Sequence, residues 1–290
     1  MLKKQVLDRL KNFSAAIMKR AVFLTILLCE FAVFGFSQTG DQPYRIGAAL
    51  GYSFSGYREE TYTAINRHLN TFFYRLDGNI EKRSFLHTLN AGFFMGNSTI
   101  KAEEAYLFED YDSQNGKAYY IAYNPQYLSI RGYIEYALDK KLWGSNTFPG
   151  YLGGAFRADT YLQFANYPSI TGLLSLDVHA VQKWHINRDN VLTGSLSVPL
   201  FGYAVRPPYA GADAAIIKYA SESPMKILSL GKIVSLHNYW AVFGDVSYRH
   251  VITSLVSFYT GMGFELSRIN FPRPRIDAIC TLNTGIAFTF

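Results

Sequence analysis

Three carboxylates lie close together in one segment of the chain, at Glu109, Asp110 and Asp112. Together with a histidine from elsewhere in the sequence, either His68 or His237, they could activate a water molecule for hydrolysis. A run of small polar residues follows the acids directly, which is typical of a solvated surface loop. We therefore expect an acidic loop here and keep a hydrolytic site as an alternative, so the sequence assigns no catalytic residue.

The remaining histidines and cysteines indicate no other reaction chemistry. His179 lies two residues from Asp177, and we expect it to be hydrogen-bonded inside the protein. Of the two cysteines, Cys29 falls in the expected signal peptide described below, which leaves Cys280 alone. A disulfide framework or a cysteine zinc site is therefore not expected, and no metal or cofactor is predicted.

Charged residues recur along the chain with a regular spacing. Residues 70–81, for example, place Phe72 and Tyr74 on one face of an extended strand and Arg75 and Asp77 on the other. The same alternation predicts strands in ten segments: 44–54, 70–81, 84–96, 125–138, 150–164, 172–184, 191–203, 236–250, 254–267 and 277–290. In none of them does a Lys, Arg, Asp or Glu fall on the apolar face. On the opposite face we expect a charge network: Arg45, Arg75, Asp77, Glu81, Arg131, Glu135, Arg157, Asp159, Asp177, Lys183, Asp245, Arg249 and Glu265.

This separation of charge indicates which face of the strands meets lipid. A basic side chain that faces lipid at mid-membrane costs about 2–4 kcal/mol, so the apolar face should be the outer one. A soluble β-sandwich or soluble barrel would have the reverse arrangement. The sequence therefore predicts an all-β fold, a transmembrane antiparallel up-and-down β-barrel of about ten strands, with eight or twelve also open. The balanced inner charges predict a largely filled lumen, with a narrow ion path as an alternative.

The connections between these segments have two different lengths. Residues 56–69, 97–124 and 204–235 are predicted to be long connections, whereas others, such as 139–150, are shorter and turn-like. Residues 225–235 could also form an additional strand. An even number of strands returns both termini to the periplasmic side, and long loops on the opposite side are typical of bacterial barrels.

The last predicted strand carries a further pattern. Asn283, Gly285, Phe288 and Phe290 follow a spacing that resembles the closing strand of bacterial outer-membrane β-barrels. In that family the strand is read by the barrel-insertion machinery and then pairs with the first strand. The resemblance implies that these four residues form an insertion signal, that the machinery and outer-membrane lipid are partners, and that the last strand pairs with residues 44–54.

The first residues have the pattern of a secretory signal peptide. A basic pair precedes an apolar run, and small residues precede an expected cleavage after Ser37. We expect residues 1–37 to be a signal peptide and residues 38–290 to be the barrel domain. A start at Met18 would make residues 1–17 a spurious upstream extension.

The net charge does not indicate a nucleic-acid partner. The chain has a formal net charge of +6, but residues 1–37 contain six basic and two acidic residues, which leaves only +2 for the remainder. The basic character therefore belongs largely to the targeting segment. We expect export to the outer membrane of a Gram-negative bacterium.

Aromatic residues are abundant in two of the long connections. Residues 97–124 and 204–235 contain several tyrosines, which favour contact with a protein or glycan partner. Residues 198–202 and 208–211 resemble a segment of an uncharacterised family of small outer-membrane barrels, which implies no activity. We expect a non-enzymatic barrel with an accessory, binding or structural role through these loops. The alternatives are a narrow channel for small solutes and a rim-located protease or lipid-modifying hydrolase, since one family of outer-membrane proteases places acids and a histidine at the rim of a ten-stranded barrel.

Overall fold

The computed structural model describes residues 44–59, 63–100, 106–112, 117–123, 127–164, 168–206, 230–271 and 274–290. Most of the residues in these ranges lie in β-strands. The strands are β1 (Tyr44–Glu59), β2 (Thr63–Lys82), β3 (Phe85–Ile100), β4 (Tyr106–Asp112), β5 (Lys117–Tyr123), β6 (Tyr127–Trp143), β7 (Gly150–Phe164), β8 (Pro168–His185), β9 (Asn190–Val205), β10 (Lys232–Ser235), β11 (Tyr239–Val251), β12 (Val256–Ile269) and β13 (Arg275–Thr289). Among the described residues, no helix is long and apolar enough to cross a membrane.

Ten of the described strands form a closed ring. Their order is β9-β11-β12-β13-β1-β2-β3-β6-β7-β8, and β8 pairs back to β9. The predicted pairing of the last strand with the first is confirmed, because β13 and β1 are antiparallel from Arg45 opposite Thr289 to Glu59 opposite Arg275. The ring strands have 13 to 20 residues, more than the roughly 9–11 that a tilted strand needs to cross a membrane. The predicted ten-stranded transmembrane barrel is thus confirmed.

The two faces of the ring differ as the alternation predicts. Large apolar side chains such as Leu50 and Phe72 point outwards, with 62% and 63% of their surface exposed. Their sequence neighbours Ala49 and Phe73 point inwards and are buried. An exterior of this kind suits lipid, which offers no hydrogen bonds to polar groups.

The two ends of the barrel are named here by their connections. At the turn end, the ring strands are joined by short segments at residues 83–84, 144–149, 186–189 and 252–255. At the other end, called the loop end, β3 is followed by the β4-β5 hairpin and β9 by the segment that leads to β10. The two long connections therefore lie at the loop end, as the sequence predicts, but the connections at 60–62, 165–167 and 270–274 at the same end are short.

The predicted extents of the long connections need correction. Residues 56–69 are not a loop, because β1 continues to Glu59 and β2 starts at Thr63. Residues 97–124 contain the end of β3 and both strands of the hairpin. Beyond the membrane both faces of a strand meet water, so polar residues interrupt the alternation while the backbone hydrogen bonds continue.

The structure answers the open question for residues 230–235, whereas residues 225–229 lie outside the described ranges. Lys232 to Ser235 form the short strand β10, which pairs with the loop end of β9, and Ser235 lies opposite Phe201. β11 pairs with β9 only as far as Phe243 opposite Ser197. β10 is therefore inserted between β9 and β11 at the loop end, while Tyr239 to Val242 continue β11 and pair with β12. Next to this insertion Tyr239, Ala241 and Phe243 join a buried apolar cluster with Ala204, Val234 and Ile269.

A bulge in β9 accompanies this insertion and shifts the predicted alternation. Leu176 lies opposite Phe201, but the next residue, Asp177, lies opposite Pro199, so Leu200 is the extra residue. Leu200 and Phe201 are both about half exposed, at 45% and 48%. Proline has no N–H to give to the neighbouring strand and is tolerated at such a bulge. The alternation of 191–203 therefore holds up to Leu200 and changes parity after it, where Phe201 is also exposed.

Candidate functional site

The predicted charge network lies in the lumen, and its centre links opposite walls of the barrel. Arg131 on β6 donates hydrogen bonds to both carboxylate oxygens of Asp159 on β7, at 3.0 and 3.1 Å from its Nε. Its Nη2 also lies 2.7 Å from Glu265 on β12. Because β12 is five strands away from β6 in a ring of ten, the contact with Glu265 crosses the lumen.

Arg157 extends the same cluster. Its guanidinium lies 3.3 Å from Glu135, 3.4 Å from Asp159 and 3.9 Å from Glu265. The ring of Phe243 lies 4.0 Å below it, which is a favourable position for a cation. Arg131 and Glu135 are four residues apart on one strand, and therefore about 13 Å apart. Glu135 instead lies opposite Arg157 on the neighbouring strand.

A second pair crosses the lumen at the same level. Arg75 on β2 donates to Asp245 on β11 at 2.7 Å and to the side-chain oxygen of Asn90 at 3.3 Å. Asn90 in turn donates to Glu135 at 3.1 Å, which joins this pair to the central cluster. The middle of the lumen is therefore filled by one connected set of charges, as tolerance of buried charge requires.

Closer to the turn end, two further contacts bridge distant strands. Tyr259 on β12 donates to Asp77 on β2 at 2.6 Å, and Arg45 lies 3.7 Å from the same carboxylate. Lys183 on β8 lies 2.8 Å from Glu81 on β2. β8 and β2 are four strands apart in the ring, so this pair also spans the lumen.

His179 is buried and hydrogen-bonded to an acid on another strand rather than to its sequence neighbour Asp177. Its Nδ1 lies 2.8 Å from Asp139 on β6, whereas Asp177 accepts a hydrogen bond from Ser197 at 2.9 Å. Asp139 was missed because it falls in the predicted connection 139–150, although β6 runs on to Trp143. It continues the inward-facing series of Glu135, so the parity of the strand could have identified it.

Near the loop end, an arginine is held between two tyrosines. Arg275 lies 4.2 Å from the ring centre of Tyr161 and 5.4 Å from that of Tyr57, and it donates two hydrogen bonds of 2.8 Å to Asp277. Gln163 donates to the hydroxyl of Tyr57 across the lumen at 2.8 Å. Tyr57 and Arg275 were missed because the predicted first and last strands, 44–54 and 277–290, stop short of the loop end.

Four arginines of the predicted network have an Nε that is buried without a hydrogen-bond partner within the described part of the chain: Arg45, Arg75, Arg157 and Arg249. The residues that resemble an insertion signal lie on both faces of the last strand. Asn283 points inwards and is 5% exposed, whereas Phe288 points outwards. The backbones of Phe290 and Tyr44 exchange two hydrogen bonds of 3.1 and 2.8 Å.

The residues considered for hydrolysis are only partly described. Glu109, Asp110 and Asp112 lie in β4, whose backbone pairs with β5, and their side chains fall outside the described set. His68 is exposed on β2. His237 is exposed in the turn before β11, where its Nδ1 lies 2.7 Å from the hydroxyl of Ser235.

Comparison with known proteins relates this architecture to solved structures. No protein-family model and no curated protein sequence matches the chain. The outer-membrane protease OmpT from Escherichia coli is similar with a TM-score of 0.50 and 7% identity, over 87% of this chain and 99% of that one. The chain has the fold of bacterial outer-membrane β-barrels. At such low identity the likeness shows the fold alone.

Other outer-membrane proteins are similar over most of their length with lower scores. Neisserial surface protein A aligns over 85% of this chain and 97% of that one, with 7% identity and a TM-score of 0.36. The attachment invasion locus protein Ail of Yersinia pestis aligns over 85% and 98%, with 11% identity and a TM-score of 0.28. A shared barrel does not determine a shared function, which has to be argued from the site.

Proposed function

We propose that the protein is a closed outer-membrane barrel with a non-enzymatic, binding or structural role. The observation that carries this proposal is the series of side-chain contacts across the lumen, at the loop end, in the middle and towards the turn end. Three of them are Gln163 with Tyr57, Arg131 with Glu265 and Lys183 with Glu81. A barrel of about eight strands is just filled by its side chains, and ten strands lie near that limit.

Conductance in planar lipid bilayers tests the closure directly. Purified protein should give no single-channel steps under conditions in which a general porin gives them, because the inward charges neutralise each other and occupy the lumen. Regular steps from the wild-type barrel would favour the alternative of a narrow channel for small solutes and would contradict the closed barrel.

The outer membrane is the location that this fold and its apolar exterior support. With the short turns in the periplasm, the loop end faces outwards. Under this proposal residues 1–37 direct export, and Asn283, Gly285, Phe288 and Phe290 guide insertion. Changing Phe290 to Asp should then lower the steady-state level in the outer membrane, whereas Phe54→Asp should lower only the stability of barrels already inserted. Equal levels of wild type and Phe290→Asp after cell fractionation would contradict the role of the signal.

The loop end is the surface that we assign to a protein or glycan partner. The tyrosines of residues 97–124 and 204–235 are suited to such contacts. Affinity purification from detergent-solubilised outer membranes, with and without residues 208–228, should recover a partner that depends on that segment. If alanine at Asp110, Asp112 and His237 removed a measured hydrolytic activity, the protein would instead be a rim hydrolase.

A further inference from the structure

Three exposed basic residues lie close together on the outer face at the turn end, and we call them the basic patch. Lys82 ends β2, Arg83 lies in the turn that follows, and Lys140 lies near the end of β6. Lys82 lies opposite Phe85 on β3, and Phe85 lies opposite Lys140, so the two lysines flank one phenylalanine across three adjacent strands. Neighbouring strands are about 4.8 Å apart, which puts the two lysine backbones about 10 Å apart. Their long side chains can therefore reach the same anion.

The acids nearest to the basic patch in sequence point into the lumen. Glu81 precedes Lys82 and Asp139 precedes Lys140, and the alternation of each strand turns the acid inwards and the lysine outwards. Inside the barrel Glu81 pairs with a lysine of β8 and Asp139 with a histidine of the same strand, each at 2.8 Å. The basic patch makes no ion pair with any residue that the structure describes. Its positive charge is therefore available to a group outside the protein.

The other short connections at the turn end differ from this one. Residues 144–149 and 252–255 contain no charged residue, and in 186–189 the single basic residue, Arg188, is followed by Asp189. The positive charge of these connections is thus concentrated on the side of the barrel formed by β2, β3 and β6. A general requirement for solubility would not produce this asymmetry, whereas a binding site on one side would.

Towards the middle of the membrane, the outer face of the same strands becomes less polar in steps. His87 on β3 and Tyr136 on β6 come next, with 2.9 Å between the histidine Nδ1 and the tyrosine hydroxyl. Such amphipathic rings are typical of the level where the membrane meets water. Ile134 lies deeper on β6 and is 54% exposed. Cations, polar rings and apolar side chains therefore follow one another in the order of the headgroup, the interface and the acyl chains of a lipid.

From these features we infer that the basic patch binds the phosphate of an anionic phospholipid whose acyl chains lie along β3 and β6. Lys82 and Lys140 hold the phosphate from two sides, and Phe85 between them contacts the apolar part of the lipid. Each basic residue close to an anionic membrane surface strengthens binding about fivefold. The inference adds a second binding surface to the one proposed at the loop end. It rests on the proposed location, since short turns in the periplasm place the patch at the inner leaflet of the outer membrane.

Native mass spectrometry of the whole barrel in detergent measures this binding. The probes are phosphatidylglycerol and phosphatidylcholine with identical acyl chains, which differ in the net charge of the headgroup. Wild type should bind the anionic lipid at least about fivefold more tightly, and Lys82→Gln/Lys140→Gln should reduce this preference to less than about twofold. The matched control Arg188→Gln/Arg268→Gln removes the same charge from exposed positions outside the patch and should keep the wild-type preference.

A charge-conserving variant separates a binding role of the lysines from a structural one. Lys82→Arg/Lys140→Arg should keep the preference for phosphatidylglycerol, and circular dichroism should show the same β-sheet content in every variant. The inference would be overturned if wild type did not prefer the anionic lipid, or if the arginine variant or the matched control lost the preference as the glutamine variant does. Binding of peptidoglycan fragments that depends on the two lysines, without a preference between the lipids, would assign the patch to the cell wall instead. Conductance and cell fractionation test the proposed function independently of this preference, so the two proposals fail separately.

Discussion

On one side of the lumen, β6 and β7 carry Arg131, Glu135, Arg157 and Asp159; we call these four residues the charged wall. On the opposite side, the inward positions of β1, β12 and β13 are mostly small. This small-residue wall consists of Gly47, Ala49, Gly51, Ser53, Ser257, Gly261, Gly263, Gly285 and Ala287. The lumen is thus filled unevenly, because runs of small residues on this side are interrupted by only a few long inward side chains, such as Arg45, Tyr259 and Glu265.

The difference shows that the long side chains of the lumen need the space that small residues leave. A Cβ on Gly47 would lie 2.8 Å from a carboxylate oxygen of Asp77, the acid that binds Tyr259 and Arg45. The small-residue wall therefore leaves space for side chains that come from elsewhere in the ring. Substitutions that remove a long side chain or add a short one should both destabilise the barrel. The burial and the contacts of each residue determine the order of these losses in stability.

Removing Arg157 should have the largest effect. Arg157→Met leaves Glu135, Asp159 and Glu265 with less compensating charge in a buried site, which should lower the free energy of unfolding by about 3–5 kcal/mol. Urea unfolding in lipid vesicles, followed by tryptophan fluorescence, measures the change. Arg268→Met is the matched control, because Arg268 is exposed near the loop end. Equal stabilities of the two variants would contradict the importance of the charged wall.

Adding a single methyl group to the small-residue wall should cause the second-largest loss of stability. In Gly51→Ala the new Cβ would lie 2.1 Å from the carbonyl oxygen of Leu282, so the β1–β13 pair would have to shift. We expect a loss of about 2–3 kcal/mol. Gly56→Ala lies on the same strand with its nearest atom at 3.9 Å and should be nearly neutral. The comparison would fail if both variants unfolded at the same urea concentration.

Loss of one hydroxyl between the walls should have a moderate effect. Tyr259→Phe removes the hydrogen bond to Asp77 and should cost about 1–2 kcal/mol, since the acceptor is charged but keeps Arg45 nearby. Tyr74→Phe, on the exposed outer face, provides the control. A Tyr259→Phe barrel as stable as this control would show that the bond contributes nothing measurable.

The smallest effect should come from the pair at the turn end. Lys183 and Glu81 are closer to water, with 18% and 44% of their side chains exposed, so Lys183→Met should cost less than about 1 kcal/mol. Its effect should also shrink in 1 M salt, where screening is strong. An effect as large as that of Arg157→Met would remove the distinction between the buried cluster and this pair.

The sequence predicts the ring of strands well because every strand that crosses the membrane must turn its charged side chains away from lipid. Arg75 and Asp245 cannot face lipid, so alternation places them inwards without knowledge of their partners. The partners themselves depend on how the ten strands are staggered around the ring, which is why Arg131 with Glu265 was not foreseen. Alternation also fails at Pro199, where the bulge shifts the parity, and beyond the membrane, where water accepts polar residues on both faces.

A double-mutant cycle between Arg131 and Glu265 tests the link between the two sides most directly. Unfolding free energies are measured for wild type, Arg131→Met, Glu265→Gln and the double variant. If the charge pair joins the walls across the lumen, the coupling energy should exceed about 1.5 kcal/mol, since residues in one buried network are strongly non-additive. Additive effects, within about 0.5 kcal/mol, would show that the two residues do not act together and would contradict a lumen closed by contacts across it.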